Sequence, residues 1–216
     1  MRVLAISVGK PRTIRYMGKD VPTAIYKKPI DGLCMVRRTN LDGDEQANLK
    51  AHGGPDKAVL ASPVEHYSFF NDLYGQEPFE FGHFGENLTI EGLVENEVRI
   101  GDQLSIGQAV FEVTMPRMPC FKFGVKLGSS KALESCIATA KTGFYLRVLQ
   151  EGSIEAGNTI ERVKTDVTAP SVEEVHRLRF FDKRNVGEMQ RALQNAALSG
   201  VLKNLFAERI SELEAN

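Results

Sequence analysis

Short apolar runs, cut every few residues by Gly, Pro, Asn or Asp, fill the first three-quarters of the chain. Residues 3–8, 33–37, 58–61, 87–90, 102–106, 109–115 and 144–149 carry β-branched or aliphatic residues between turn signals and read as strands. In 109–115 the alternation is direct: Phe111, Val113 and Met115 share one face, Val110, Glu112 and Thr114 the other. Leu41-Asp42-Gly43-Asp44, Ile100-Gly101-Asp102 and Glu151-Gly152 mark turns between the runs. Many short strands with Gly-rich joints favour a β-barrel or folded sheet over a doubly wound α/β fold.

Two stretches switch to helical spacing. Ser62-Pro63-Val64-Glu65 offers a cap at Ser62, Pro at the first helical position and Glu three residues after the cap. It predicts a helix over about 63–73, stopping near Gly75. A second helix is predicted over 130–140, closed by Thr142-Gly143, with Ala132, Leu133, Cys136, Ile137 and Ala140 at helical spacing. Beyond Val163 the pattern changes again. Thr168-Ala169-Pro170 reads as a linker and Ser171-Val172-Glu173-Glu174 as a capping box, followed by helices over 171–181, 185–198 and 200–214. The predicted organisation is a mainly β domain over 1–167 and a small three-helix domain over 168–216.

Composition narrows the partners. Across 216 residues, 27 Lys and Arg face 28 Asp and Glu, a net charge of −1 that excludes a globally basic binder of nucleic-acid polymer or anionic membrane. The tail from Ser171 holds seven basic and seven acidic residues and has no basic face to offer either. The three cysteines, Cys34, Cys120 and Cys136, form no C-x-x-C pair, against both a disulfide scaffold and a Cys-type structural zinc site. The N-terminal apolar run is shorter than a signal peptide's, and no stretch approaches the roughly 20 apolar residues of a membrane span. A soluble, cytoplasmic protein is expected.

Three segments concentrate chemistry. Met115-Pro116-Arg117-Met118-Pro119-Cys120-Phe121-Lys122-Phe123 leaves a strand through two prolines, which predicts a rigid loop. From Val113 to Lys131 there are four basic residues and no acidic one, and positive charge favours the thiolate that attacks substrates and binds metals. A buried cysteine among surface lysines is the plain alternative for Cys120. Cys34 and Cys136 lie in apolar patterns and read as core residues. The second segment runs from Asn40 to Val59. There Gly53-Gly54 offers backbone N–H groups to an anion, and His52 and Lys57 add side-chain donors. A solvated acidic loop, even a calcium-binding one, is the alternative, but Gly43 falls too early for an EF-hand loop. The third is Phe84-Gly85-Glu86-Asn87-Leu88, where Glu86 and Asn87 could meet a heterocycle edge. A Cys120–His52 pair for acyl transfer is also conceivable, but spacing alone cannot bring the two together.

In this order the segments resemble the MOSC domain, the C-terminal domain type of molybdenum-cofactor sulfurases. The residues that carry the resemblance are Leu41-Asp42-Gly43-Asp44, His52-Gly53-Gly54-Pro55-Asp56-Lys57-Ala58-Val59, Gly85-Glu86-Asn87-Leu88-Thr89, Gly101-Asp102, Pro116-Arg117-Met118-Pro119-Cys120 and Gly143-Phe144-Tyr145-Leu146-Arg147-Val148-Leu149. Tyr26-Lys27-Lys28-Pro29 and the helical tail point to the stand-alone YiiM-like subgroup.

The resemblance implies a barrel-like β domain with a small C-terminal three-helix domain. It also implies a molybdenum–molybdopterin cofactor with Cys120 as thiolate ligand to the metal. Arg117, His52, Lys57 and Asn87 are the implied cofactor contacts, with Glu86, Gly53 and Gly54 beside them. Lys27 matches the subgroup's I-x-K position and is either a proton donor or substrate contact, or a solvated lysine beside Lys28. The implied activity is reduction of N-hydroxylated small molecules such as hydroxylaminopurine. The chain carries no Fe–S motif, flavin fingerprint or haem-attachment pattern, so electrons are expected from a separate electron-transfer protein. No pyridoxal-phosphate sulfurase domain fits in this length. The alternative is a non-catalytic carrier of molybdenum cofactor, or of sulfur on Cys120. A homodimer is the expected assembly, and the tail could serve it or cover the site.

Overall fold

The computed structural model describes residues 1–49, 53–75 and 77–215. Its strands in chain order are β1 (Arg2–Val8), β2 (Arg12–Tyr16), β3 (Lys19–Thr23), β4 (Lys28–Ile30), β5 (Cys34–Val36), β6 (Val59–Pro63), β7 (Leu88–Glu91), β8 (Gln103–Ile106), β9 (Ala109–Pro116), β10 (Phe144–Gln150), β11 (Gly152–Ile154) and β12 (Ile160–Lys164). Eight form one sheet in the order β12-β8-β9-β10-β6-β7-β1-β4, antiparallel throughout except for the parallel β6–β7 pair. β5 pairs with β11, and β2 with β3 as a separate hairpin.

The large sheet curls back on itself. Val3 N donates to Asn158 O at 2.9 Å, Ile160 N to Met1 O at 3.0 Å, and Arg2 bridges Thr159, so the approach to β12 meets β1. No ladder joins the edge strands β12 and β4, and the barrel-like shape stays unclosed. The concave side is filled by inward residues of every long strand, among them Val3, Ile6, Leu104, Phe111, Val113, Phe144 and Leu146, all buried.

All seven predicted strands are present. Those that patterning missed lack its signal. β4 and β11 are three residues long, β12 buries only Ile160, and β2 and β3 form a largely exposed hairpin with Pro22 inside it.

The helices are α1 (Glu65–Tyr74), α2 (Phe121–Lys126), α3 (Ser130–Thr139), α4 (Val172–Phe180), α5 (Val186–Leu193) and α6 (Gly200–Glu214). The predicted cap at Ser62 is corrected: Ser62 and Pro63 are the last rungs of β6, facing Thr89 and Ile90, and α1 begins two residues later after Val64. The long-range ladder overrides the local capping signal, and Glu65 instead accepts from Gly92 N at 2.7 Å. Cys120 stands at the entrance to α2, where a loop was predicted. α3 ends as expected at Ala140, which takes a left-handed conformation with φ 56° and caps the helix itself ahead of Thr142-Gly143. The capping box at Ser171 forms as predicted, Glu174 N donating to Ser171 Oγ at 3.1 Å and Ser171 N to Glu174 Oε2 at 2.6 Å. α5 is shorter than predicted because Asn195 turns away to donate to Ile100 O at 2.8 Å.

The tail packs into the main core: Val172, Val175, Met189, Leu202 and Phe206 are buried in one cluster with Ile100, Val113 and Met115. A charged clasp reinforces it. Arg147 reaches Asp56 at 2.6 Å and Glu112 at 2.7 Å, and Asp56 also accepts from Gly200 N at the start of α6. No helix among the described residues is long and apolar enough to cross a membrane.

A second cluster, of Tyr67, Phe70, Phe84, Phe123, Leu127, Ala132 and Cys136, supports α2 and α3 from beneath. Cys34 and Cys136 are buried as predicted, and burial pushes the Cys136 thiol up to about 12. At the edge of this cluster His83 stacks on Phe79 at 4.0 Å. Burial, then Lys126, push its pKa down to about 4, with Glu80 opposing and Lys28 adding. The neutral ring is therefore favoured in the folded state. Its share of stability is complete above the unfolded histidine value near 6.5 and is lost as pH falls through about 4. His83→Gln should flatten that loss. Urea midpoints measured across the window check this, and identical slopes for variant and parent would refute it.

Candidate functional site

Where β6, β9 and β10 meet the segments 23–27 and 44–47, the fold leaves a cleft of about 680 Å³, its open mouth included. Cys120, Arg117, Lys57, Lys27 and Asn87, drawn from all three sequence segments and the Lys27 stretch, line it together with Tyr145. Among the described residues, none from the helical tail lines it.

Arg117 leaves the end of β9, its N–H donating to Gly143 O at 2.9 Å. Its side chain is only 7% exposed and its guanidinium lies 5.0 Å from the centroid of the Phe123 ring. Among the described residues it forms no ion pair and no side-chain hydrogen bond. A cation taken this far from water without a counter-charge is costly, and an anion in the cleft would meet it. Three residues on, Cys120 is half-buried with its thiol free of hydrogen bonds among the described residues.

The strand end is braced from behind. Glu95 Oε1 accepts from Thr142 N at 2.9 Å and Gly143 N at 2.6 Å, while Glu95 Oε2 meets His66 Nε2 at 2.7 Å. Burial pushes the Glu95 carboxyl up, but the His66 and Gly143 contacts outweigh it and hold the group below the usual carboxylate value. Gly143 has φ +74°, and a Cβ there would lie 2.4 Å from Ala61 O, so only glycine fits this turn. Nothing in the local sequence marks Glu95 or His66.

Lys27 is no solvated neighbour of Lys28. It is 8% exposed with its ammonium on the buried carboxylate of Asp44, whereas Lys28 is exposed and pairs with Glu80. Asp44 also accepts from Gly9 N at 2.8 Å and Asn87 Nδ2 at 2.9 Å. Burial lowers the Lys27 pKa below the ordinary lysine value, with Asp44 opposing by charge and hydrogen bond. Asp44 is held by Lys27 and Asp42 by Arg37 at 2.8 Å, so these two carboxylates are committed to cations of the protein itself. Lys57, also buried, closes a short 3-10 turn, Pro55–Lys57, and burial lowers its pKa, with Asp56 opposing.

The remaining candidates sit differently from expectation. Asn87 reaches the cleft, but its amide is spent inside the protein: Nδ2 donates to Ser7 O and Asp44, and Oδ1 accepts from Leu60 N. It is a strut between strands. Glu86 is fully buried and absent from the cleft lining; its Oε1 accepts from Tyr67 Oη, Gly82 N and Thr89 Oγ1, and its Oε2 has no hydrogen-bond partner among the described residues. Gly53 and Gly54 are off the cleft wall. Gly54 takes φ +93° to open the 55–57 turn, which makes its role conformational. His52 lies outside the described residues. Tyr145 and Lys122, which the sequence placed in motifs but did not mark as site residues, also stand in the cleft.

The MOSC domain family matches residues 48–161, and the YiiM-like, 3-alpha helix domain family matches 170–213. The chain is 39% identical over 211 residues to YflK of Bacillus subtilis (strain 168), covering 98% of this chain and 95% of that protein. A crystal structure of YiiM from Geobacillus stearothermophilus superposes with a TM-score of 0.82 at 33% identity, covering 97% of this chain and 98% of that one. A protein named as a reductase from Gibberella moniliformis (strain M3125 / FGSC 7600) is 34% identical over 165 residues, covering 75% of this chain and 29% of that protein.

Proposed function

Because the chain belongs to the MOSC-domain family, with the YiiM-like three-helix tail, we propose that it is a molybdenum-cofactor oxidoreductase that reduces N-hydroxylated small molecules. The observation that carries this reading is the buried, unpaired Arg117 guanidinium beside Cys120 in one cleft. The residues fit the group that the family implies. A molybdopterin carries phosphate, which a guanidinium meets with directed, charge-assisted hydrogen bonds, and molybdenum suits a soft thiolate. Cys120 would hold the metal, with Arg117 and Lys57 on the anionic part. When bound, the cofactor supplies two-electron redox chemistry.

The chain's own work is binding, orientation and proton supply. Reduction of R–NHOH to R–NH2 and water takes two electrons and two protons. The electrons come from a separate electron-transfer protein. Lys27, pushed toward easier proton release by burial and fixed by Asp44, holds one proton at Nζ on the cleft wall. The relative named as a reductase supports the reaction class.

The test is turnover. Purified, cofactor-loaded protein with an artificial reductant should consume hydroxylaminopurine and release the amine. Loaded protein that leaves the substrate untouched would overturn the reductase reading in favour of the carrier.

A further inference from the structure

Two protons are required by the reaction above, and Lys27 accounts for one. The second donor is visible in β10. Inward residues Phe144 and Leu146 are buried in the core, and Tyr145 between them turns to the other face, level with Leu60 of β6 and Met115 of β9. It lines the same cleft as Cys120 and Arg117. Its hydroxyl forms no hydrogen bond with any described residue. Tyr145 is half-buried in the cleft wall, and a hydroxyl with no protein partner keeps its proton available to a molecule bound there. Lys27 differs in being tied to Asp44. Burial raises the Tyr145 pKa, with Arg117 opposing and Cys120 adding, so the phenol keeps its proton at neutral pH.

We propose that Tyr145 is a catalytic residue that donates its hydroxyl proton to the oxygen leaving the substrate nitrogen. The N–O bond breaks, and nitrogen takes the electron pair that the electron-transfer protein supplies. The oxygen leaves as water with one proton from Tyr145, the amine takes the other, and solvent reprotonates the phenolate. This rests on the reductase reading.

Tyr145→Phe keeps the ring and removes only the hydroxyl. Holoenzyme of the variant should match the parent in molybdenum content, melting temperature and KM, while kcat falls by about a hundredfold, the scale of one lost general acid. Independently of turnover, ultraviolet titration should show one tyrosine fewer with ionisation above the ordinary value near 10 in the variant than in the parent, Tyr67 being raised in both. An active parent beside an equally active Tyr145→Phe overturns this proposal alone, as does a variant that loses cofactor but keeps its rate per molybdenum. An inactive, loaded parent overturns the reductase reading and this proposal with it.

Discussion

Changing Cys120 to serine is expected to reduce bound molybdenum to background and to abolish turnover while leaving the fold intact. A serine hydroxyl is a hard, weakly acidic donor where molybdenum prefers a soft thiolate, so the substitution removes the proposed ligand and almost nothing else. The structural cost is small. Cys120 is half-buried at the cleft, belongs to neither hydrophobic cluster, and its thiol holds no hydrogen bond among the described residues. Stability should stay within about 0.5 kcal/mol of the parent. Cys136→Ser is the control, since that thiol is fully buried and donates only to Lys141 O. It should destabilise the protein but retain molybdenum. Elemental analysis of protein purified from a host that makes the cofactor reads both. Equal molybdenum in Cys120→Ser and parent would remove Cys120 as the ligand.

What could be read from the chain depended on how local its cause was. The Pro116-to-Cys120 segment announces itself because prolines and a run of basic residues act on their own neighbourhood, and the cleft does contain Arg117 and Cys120. The Ser171 capping box is legible for the same reason. Ser62 carried an equally good local signal and obeyed β7 instead, because two rungs of ladder in a buried strand outweigh one cap. Tyr145 and Glu95 could not be found this way. One becomes a cleft residue only through the register of β10 against β6 and β9, and the other meets the site 48 residues along the chain, at Gly143. Asn87 reaches the cleft, but its amide is also used within the protein. An amide with donors and an acceptor is as useful to a strand junction as to a heterocycle, and here the strands took it.

Asp44→Ala is expected to be the most damaging single change to stability at the cleft. The substitution leaves the buried Lys27 ammonium without its ion-pair partner, with only the weaker pull of Glu86, and strips a partner from Gly9 N and Asn87 Nδ2. Breaking a buried pair from one side costs about 3–5 kcal/mol, because the surviving charge is stranded. For a chain of this length that corresponds to a fall in melting temperature of roughly 10 °C. Lys27→Met in the Asp44→Ala background should restore part of the loss, since it removes the stranded charge. The pH response separates a stranded lysine from simple loss of packing. Burial already lowers the Lys27 pKa, so folding favours its neutral form, and stability contributed by Lys27 rises as pH climbs toward the unfolded value near 10.5. Without Asp44 to oppose burial, the folded pKa falls further and that gain widens. Denaturant melts of Asp44→Ala from about pH 8 to about pH 10 should therefore recover more stability than the parent does, and the double variant, lacking Lys27, should lose that extra recovery. A loss under about 1 kcal/mol, or one that does not respond to pH, would mean that the pair is solvated and that Asp44 does not hold Lys27 in the charged form.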